Sequence, residues 1–232
     1  MKSLHKQSGF TLVEIAIVLV IIGLLLGGVL KGQEMITNAK VSKIDTDFKG
    51  ITAAVLAYQD RYGVLPGDDP AASTRFPGTW AGTDNGNGNG FIQGAWNSTN
   101  NTQETRKVWK HLRGAGLIKG PVNNTAASYQ QPSNAFGGVT GIGFNTYGLA
   151  GMTIVFGQIP GNIAQILEAK HDDGSPSSGS LQGHNSQTAY NIATTYNVAY
   201  GPERKNKTLK FSHRTIPISV LCYKQKYKST HT

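Results

Sequence analysis

The distribution of apolar and polar positions divides this chain before any other feature does. From Phe10 to Leu30 there are 21 residues, FTLVEIAIVLVIIGLLLGGVL, in which Glu14 is the single charge. Wound as a helix, such a run is about 30 Å long, enough to cross the hydrocarbon core of a bilayer. Beyond Lys31 the pattern changes from uniformly apolar to periodic. Ile44, Phe48, Ile51, Val55, Tyr58 and Tyr62 recur at steps of three and four, with Lys43, Asp47, Lys49 and Asp60 elsewhere on the cylinder. One long helix from about Phe10 to Tyr62 is therefore predicted, its second half packed against a globular domain and ended by Gly63 and Pro66. Gly23, Gly27, Gly28 and Gly32 weaken the join, so two separate helices are the competing reading. The same glycines form two G-x-x-x-G pairs that let membrane helices approach closely.

After the helix the periodicity disappears into a turn-rich segment over 63–103, with LPGDDP at 65–70 and TDNGNGNGFI at 83–92. A short helix is predicted over Glu104–Arg113, ended by Gly114 or Gly116, with Val108, Trp109 and Leu112 on its buried side. Residues 120–147 read as loop with short strands. Met152–Phe156 reads as a buried strand stopped by Pro160. Asn162 is expected to cap a short helix with Ile163, Ile166 and Leu167 facing inward. GSPSSGS at 174–180 is predicted to be an exposed, mobile loop. Tyr190–Tyr200 and Thr208–Val220 read as strands, the latter interrupted by Pro217. The fold class is α+β: a long N-terminal transmembrane and amphipathic helix on a C-terminal antiparallel β-sheet. The expected divisions are a leader at 1–9, a membrane or filament-core helix at 10–30, an amphipathic continuation at 31–63, a globular domain at 64–222 and a basic tail at 223–232.

Charge adds a direction. The formal net charge is +9. Residues 203–232 carry eight basic side chains and one acidic, whereas residues 64–202 carry seven of each. Arg204, Lys205, Lys207, Lys210 and Arg214, with three lysines beyond, are a candidate surface for DNA phosphates or another anionic partner. The plainer reading is a solvated tail that keeps the chain soluble. At the other end, Lys2 and Lys6 precede the apolar run without acidic company, which predicts a cytoplasmic leader and an outward-facing remainder. A secretory signal places a small-residue cleavage site after its apolar segment, and none follows here. Gly9 instead stands directly before it.

This junction, Gly9-Phe10-Thr11-Leu12-Val13-Glu14 behind a short basic leader, resembles the cleavage motif of type IV prepilins and type II secretion pseudopilins. The resemblance implies a prepilin peptidase and methyltransferase that cuts after Gly9 and N-methylates Phe10, leaving the apolar helix in the mature protein. It also implies that Glu14 pairs with the N-terminal amine of a neighbouring subunit during assembly. A carboxylate at membrane depth is costly and normally has a partner, and the helix N-terminus offers only part of one. The other partners implied are further pilin subunits and an inner-membrane assembly platform. The subunit would reside in the inner membrane, single-pass with a periplasmic C-terminal domain, before moving into a pilus or pseudopilus. The competing reading of the run alone is a plain single-span anchor. Two features depart from the family pattern. Lys31 occupies the position where many pilins carry a Pro, and Cys222, the only cysteine, excludes the intramolecular disulfide that many of them close.

Three further motifs bear on chemistry. Asn85, Asn87 and Asn89, followed by Gly90, occupy alternating positions of an EF-hand-like loop that would take Ca²⁺, with Asp84, or Glu104 from the next helix, available to add charge. Trp96 stands where that loop needs its Glu, and the alternative is a flexible Asn/Gly-rich loop; no cofactor is required. His171-Asp172-Asp173 reads as a polar helix end. No G-x-S-x-G elbow, zinc signature or phosphate-cradling loop occurs, so the sequence gives no reason to expect an enzyme. The functional classes left are a pilin or minor pilin, a secretion pseudopilin, and a membrane-anchored receptor for DNA or a surface that never polymerises.

Overall fold

A computed structural model of the protein describes residues 9–76, 80–123, 125–184 and 195–200. The chain divides into two compact units, Met1–Ser42 and Lys43–Thr232.

A single 51-residue helix, α1 (Leu12–Tyr62), contributes to both units. In the first unit every position from Phe10 to Leu30 is exposed, on all sides of the helix. A segment apolar all round cannot sort itself into a wet and a dry face, and that is the sequence signature of a helix surrounded by lipid or by other helices. Among the described residues it is the one helix long and apolar enough to cross a membrane.

In the second unit the later turns of α1 bury Ile44, Ile51, Ala54, Val55 and Tyr58, while Lys43, Lys49 and Asp60 stay exposed. Of the predicted stripe, Ile44, Ile51, Val55 and Tyr58 are buried, and Phe48 and Tyr62 are half-buried. Four strands accompany these turns and α4 (Gly161–His171): β1 (Thr140–Phe144), β2 (Met152–Pro160), β3 (Leu181–His184) and β4 (Thr195–Tyr200). They form one antiparallel sheet in the order β1-β2-β4-β3. Ile154 pairs with Tyr200, Val155 with Ala199 and Phe156 with Val198. Alternation then sends these side chains to opposite faces. Tyr200 stacks on Phe48 of α1 at 4.5 Å between ring centroids. Val155 and Ala199, on the other face, pack with Trp96 and Leu149. The sheet is thus covered on both sides, by helix on one and by a strap of loops on the other. Gly141 makes room for that strap, since a Cβ there would lie 2.7 Å from the Trp96 ring. Between Phe156 and Ile159 an extra residue in β2 shifts the register. Gln158 absorbs it at a left-handed φ of 58°.

A short helix, α2 (Ala72–Arg75), follows the LPGDDP turn, and α3 (Glu104–Gly114) lies where the sequence placed it. Val108, Trp109 and Leu112 are fully buried, but so is most of the polar remainder of α3.

Several details differ from expectation. β2 continues four residues beyond Phe156, because the bulge lets Ile159 re-enter the core. Pro160, not Asn162, occupies the N-cap of α4, and no side chain caps it. Asn162 therefore lies in the first turn. Ile163 and Leu167 face inward, whereas Ile166 is 43% exposed. The loop at 174–180 is tied down by Asp172, which accepts the Leu181 N–H at 2.7 Å, and by Asp173, which accepts the Ser175 N–H at 2.9 Å. The strand LQGH at 181–184 has too little apolar pattern to be read in advance. The first residues of the expected strand Tyr190–Tyr200, and all of Thr208–Val220, lie outside the described residues.

Candidate assembly site

Helix α1 begins at Leu12, which makes Thr11 its N-cap and Glu14 its third helical residue. Glu14 Oε2 accepts the Thr11 backbone N–H and the Thr11 hydroxyl, each at 2.8 Å. The Thr11 Oγ1 in turn accepts the Glu14 N–H at 3.3 Å. This reciprocal arrangement is a capping box, in which the side chains at the cap and third positions satisfy each other's otherwise orphaned N–H groups. The T-x-x-E spacing that signals it stands in the sequence, and it gives Glu14 a hydrogen-bonding role besides the charge pairing that the resemblance implies. Gly9 and Phe10 precede the helix in irregular, exposed backbone, with Phe10 84% exposed. Farther along, Gly23, Gly27, Gly28 and Gly32 have open space where a Cβ would point. What this end of the chain can do is present a peptide bond to a peptidase and a capped carboxylate to a cation. Beyond the first turn it offers a smooth apolar surface to other helices.

The second group of sequence-singled residues lies around α3, and it is dry. Asp84 is fully buried and its Oδ1 meets Lys110 Nζ, also fully buried, at 2.7 Å. Tyr129 donates its hydroxyl to the same oxygen, and the Ala81 N–H reaches Oδ2 at 2.7 Å. Burial opposes ionisation of Asp84, but the hydrogen bonds from Lys110, Tyr129 and Ala81, with the Lys110 charge, outweigh it and hold the carboxyl below its ordinary range. Trp80 and Tyr129 rings flank the ammonium at 4.6 and 4.7 Å. His111, fully buried beside it, takes the Gly67 N–H on Nδ1 at 2.9 Å and donates Nε2–H to the Asp84 carbonyl at 2.8 Å. Burial pushes this imidazole down to about 4, so it is neutral at pH 7. Lys107 and Arg113 also turn inward, onto the carbonyls of Asn85 and of Ser128 and Gln130. No sequence pattern announces these buried cations, because their carbonyl partners come from segments with no pattern of their own.

The three asparagines do not converge on a common point through their oxygens. Asn85 Oδ1 accepts the Ser73 N–H at 2.8 Å. Asn87 Oδ1 accepts the Asn89 N–H, and Asn89 Oδ1 the Phe91 N–H, each at 3.0 Å. The backbone of this loop points its N–H groups at carboxylates: Gly88, Asn89 and Gly90 at Asp68, and Asn87 and Gln93 at Glu104. Asp68 is the residue that sequence reasoning missed. Glu104, a candidate to add charge to a Ca²⁺ loop, spends its two carboxylate oxygens on the Asn87 and Gln93 N–H groups. Among the described residues one other acidic group is compact: oxygens of Glu168, Asp172 and Asp173 lie within 4.8 Å of one another. Two of its members already hold the 174–180 loop. Arg204, Lys205, Lys207, Lys210, Arg214 and Cys222 lie outside the described residues.

Residues 4–30 match the family model described as the prokaryotic N-terminal methylation motif, the prepilin-type cleavage and methylation signal. No curated protein and no solved structure matches the chain. The motif indicates a precursor of the type IV pilin or pseudopilin kind, and α1 is long and apolar enough to cross a membrane.

Proposed function

We propose that the chain is a pilin-like structural subunit, a type IV pilin or minor pilin. It is processed after Gly9, N-methylated on Phe10 and assembled into a filament by packing of α1 with the same helix of other subunits. One observation carries the reading: a helical segment apolar on every side and exposed throughout 10–30, whose sole carboxylate, Glu14, sits in the first turn beside the future N-terminus. Water is a poor surrounding for such a surface, so it occupies lipid before assembly and other helices afterwards. In either place Glu14 needs a counter-charge. Cleavage after Gly9 creates one, the secondary amine of methylated Phe10, a cation on whichever neighbour lies one step away. Pairing the two removes both charges from an apolar interior and fixes the axial stagger between subunits.

The partners implied are the prepilin peptidase, like subunits and an assembly platform in the inner membrane, with the second unit on the periplasmic side before export. Mass spectrometry of sheared surface filaments and of membranes tests this reading through the N-terminal peptide. A peptide starting at methylated Phe10, abundant in filaments, is the expected result. The same peptide confined to membranes would point to a pseudopilin, and an intact Met1 terminus in cells that hold the peptidase would leave only a membrane anchor.

A further inference from the structure

The loop at 85–90 reads Asn-Gly-Asn-Gly-Asn-Gly, three consecutive copies of the dipeptide most prone to spontaneous deamidation. In that reaction the backbone nitrogen of the glycine attacks the asparagine carboxamide carbon and loses its proton. Ammonia leaves, and the cyclic imide is opened by water to aspartate or isoaspartate. Glycine favours the step because no Cβ shields its nitrogen. The loop cannot easily dispense with either partner. Gly88 and Gly90 have φ of 74° and 86°, and a Cβ on Gly86 would collide with the backbone of Asp68. Asn87 and Asn89 each hold a turn through the N–H two residues on.

Every one of the three glycine nitrogens is occupied in the folded protein. Gly86 N–H donates to the Asp69 carbonyl at 2.8 Å. Gly88 N–H donates to Asp68 Oδ1 at 2.7 Å and to its carbonyl at 3.0 Å. Gly90 N–H donates to Asp68 Oδ2 at 2.7 Å. Asp68 is itself only 2% exposed. A carboxylate beside an amide N–H opposes deprotonation of that nitrogen, and a hydrogen bond at this distance holds it away from the neighbouring carboxamide. The side chains that would be attacked are anchored too, Asn87 also by donation from Nδ2 to Gln93 Oε1 at 3.3 Å.

We propose that Asp68 is a positioning residue that keeps Asn87 and Asn89 chemically intact, and that these two asparagines form a latent modification site exposed only when the loop leaves Asp68. Deamidation then follows the local opening equilibrium, as amide exchange does. The change is one-way. A carboxylate formed at 87 would share the Asn89 N–H with Asp68 and resist re-docking by like-charge repulsion, so a subunit that has once opened there is marked permanently.

Peptide mapping of the full-length protein in detergent micelles, incubated in mildly alkaline buffer, measures the rate at each asparagine separately. In the native wild type Asn87 and Asn89 are expected to convert slower than in the urea-unfolded chain by at least about tenfold, the ratio set by the opening equilibrium. Asp68→Ala is expected to accelerate Asn87 and Asn89 while Asn85, guarded through Asp69, lags behind. Equal rates in native and unfolded wild type would overturn the proposal, as would a folded Asp68→Ala protein with wild-type rates. Should Asp68→Ala fail to fold, all three sites will run at the unfolded rate. Asp68→Asn then decides, since it keeps an acceptor but removes the charge: intermediate rates at Asn87 and Asn89 support the role, and unchanged rates refute it.

Discussion

Glu14 closes the N-terminus of α1 onto Thr11, accepting that residue's backbone N–H and hydroxyl at 2.8 Å each. The same carboxylate is proposed to meet an amine during assembly, so it has two separable duties, a hydrogen bond and a charge. Glutamine at this position can still close a capping box, because its side-chain oxygen also accepts the cap N–H. Glu14→Gln should therefore insert into membranes and be processed normally, yet be absent from sheared filaments. Thr11→Ala loosens the cap but keeps the charge, and should still assemble. Immunoblots of filament and membrane fractions separate the two duties. Glu14→Gln filaments at wild-type abundance would show that capping, not charge, is what this carboxylate supplies.

How much of this was legible in advance depended on whether a pattern was local. The apolar run before Lys31 is unbroken and the stripe from Ile44 to Tyr58 is periodic, so α1 and its buried face could be read from local pattern alone. Met152–Phe156 declared itself as a strand by a run of β-formers. What escaped were partners distant in sequence and residues with no pattern around them. Asp68 acts on Gly88 and Gly90, twenty residues away, through hydrogen bonds that no periodicity announces. Lys110 lies on α3, where the spacing of Val108, Trp109 and Leu112 marks only the apolar side as buried. It is buried because Asp84 and Tyr129 arrive from turns on either side. LQGH became β3 only because β4 offered it a free edge. The T-x-x-E box was the one signal fully present and not used.

His111 gives the second unit a defined acid sensitivity. Its imidazole is held at about 4 by burial, against an ordinary value of 6.5, while both ring nitrogens are committed. The unfolded chain thus takes up a proton that the folded one refuses. Stability contributed by the neutral ring is complete above about pH 6.5 and falls as pH drops toward about 4, by about 3 kcal/mol in all. Denaturant midpoints of the full-length protein across that window should fall, and His111→Gln, whatever its stability at pH 7, should flatten the slope by one proton.

Removal of Ca²⁺ tests the asparagine loop. Asp84 is committed to Lys110 and Tyr129, and Asn85, Asn87 and Asn89 spend their oxygens on backbone N–H groups. A cation would have to displace these bonds before it could be coordinated. Limited proteolysis is therefore expected to cut near 83–96 equally with a chelator and with added Ca²⁺. Protection by Ca²⁺ alone would mean that the loop refolds around the ion, with its carbonyls turned inward.

The pair Lys110–Asp84 should be worth more broken than whole. Both side chains are fully buried, 2.7 Å apart. The desolvation that each suffers is offset by the other, by the Tyr129 hydroxyl and by the Trp80 face. Asp84→Ala strands an ammonium in that aromatic pocket and should cost about 3–5 kcal/mol. Lys110→Met in the same background removes the stranded charge and fills much of the volume, so the double variant should recover part of the loss. A double-mutant cycle on full-length protein in detergent, read by denaturant midpoint, gives the coupling directly. Additive losses would mean that water reaches the pair, and that its charges are solvated rather than held by each other.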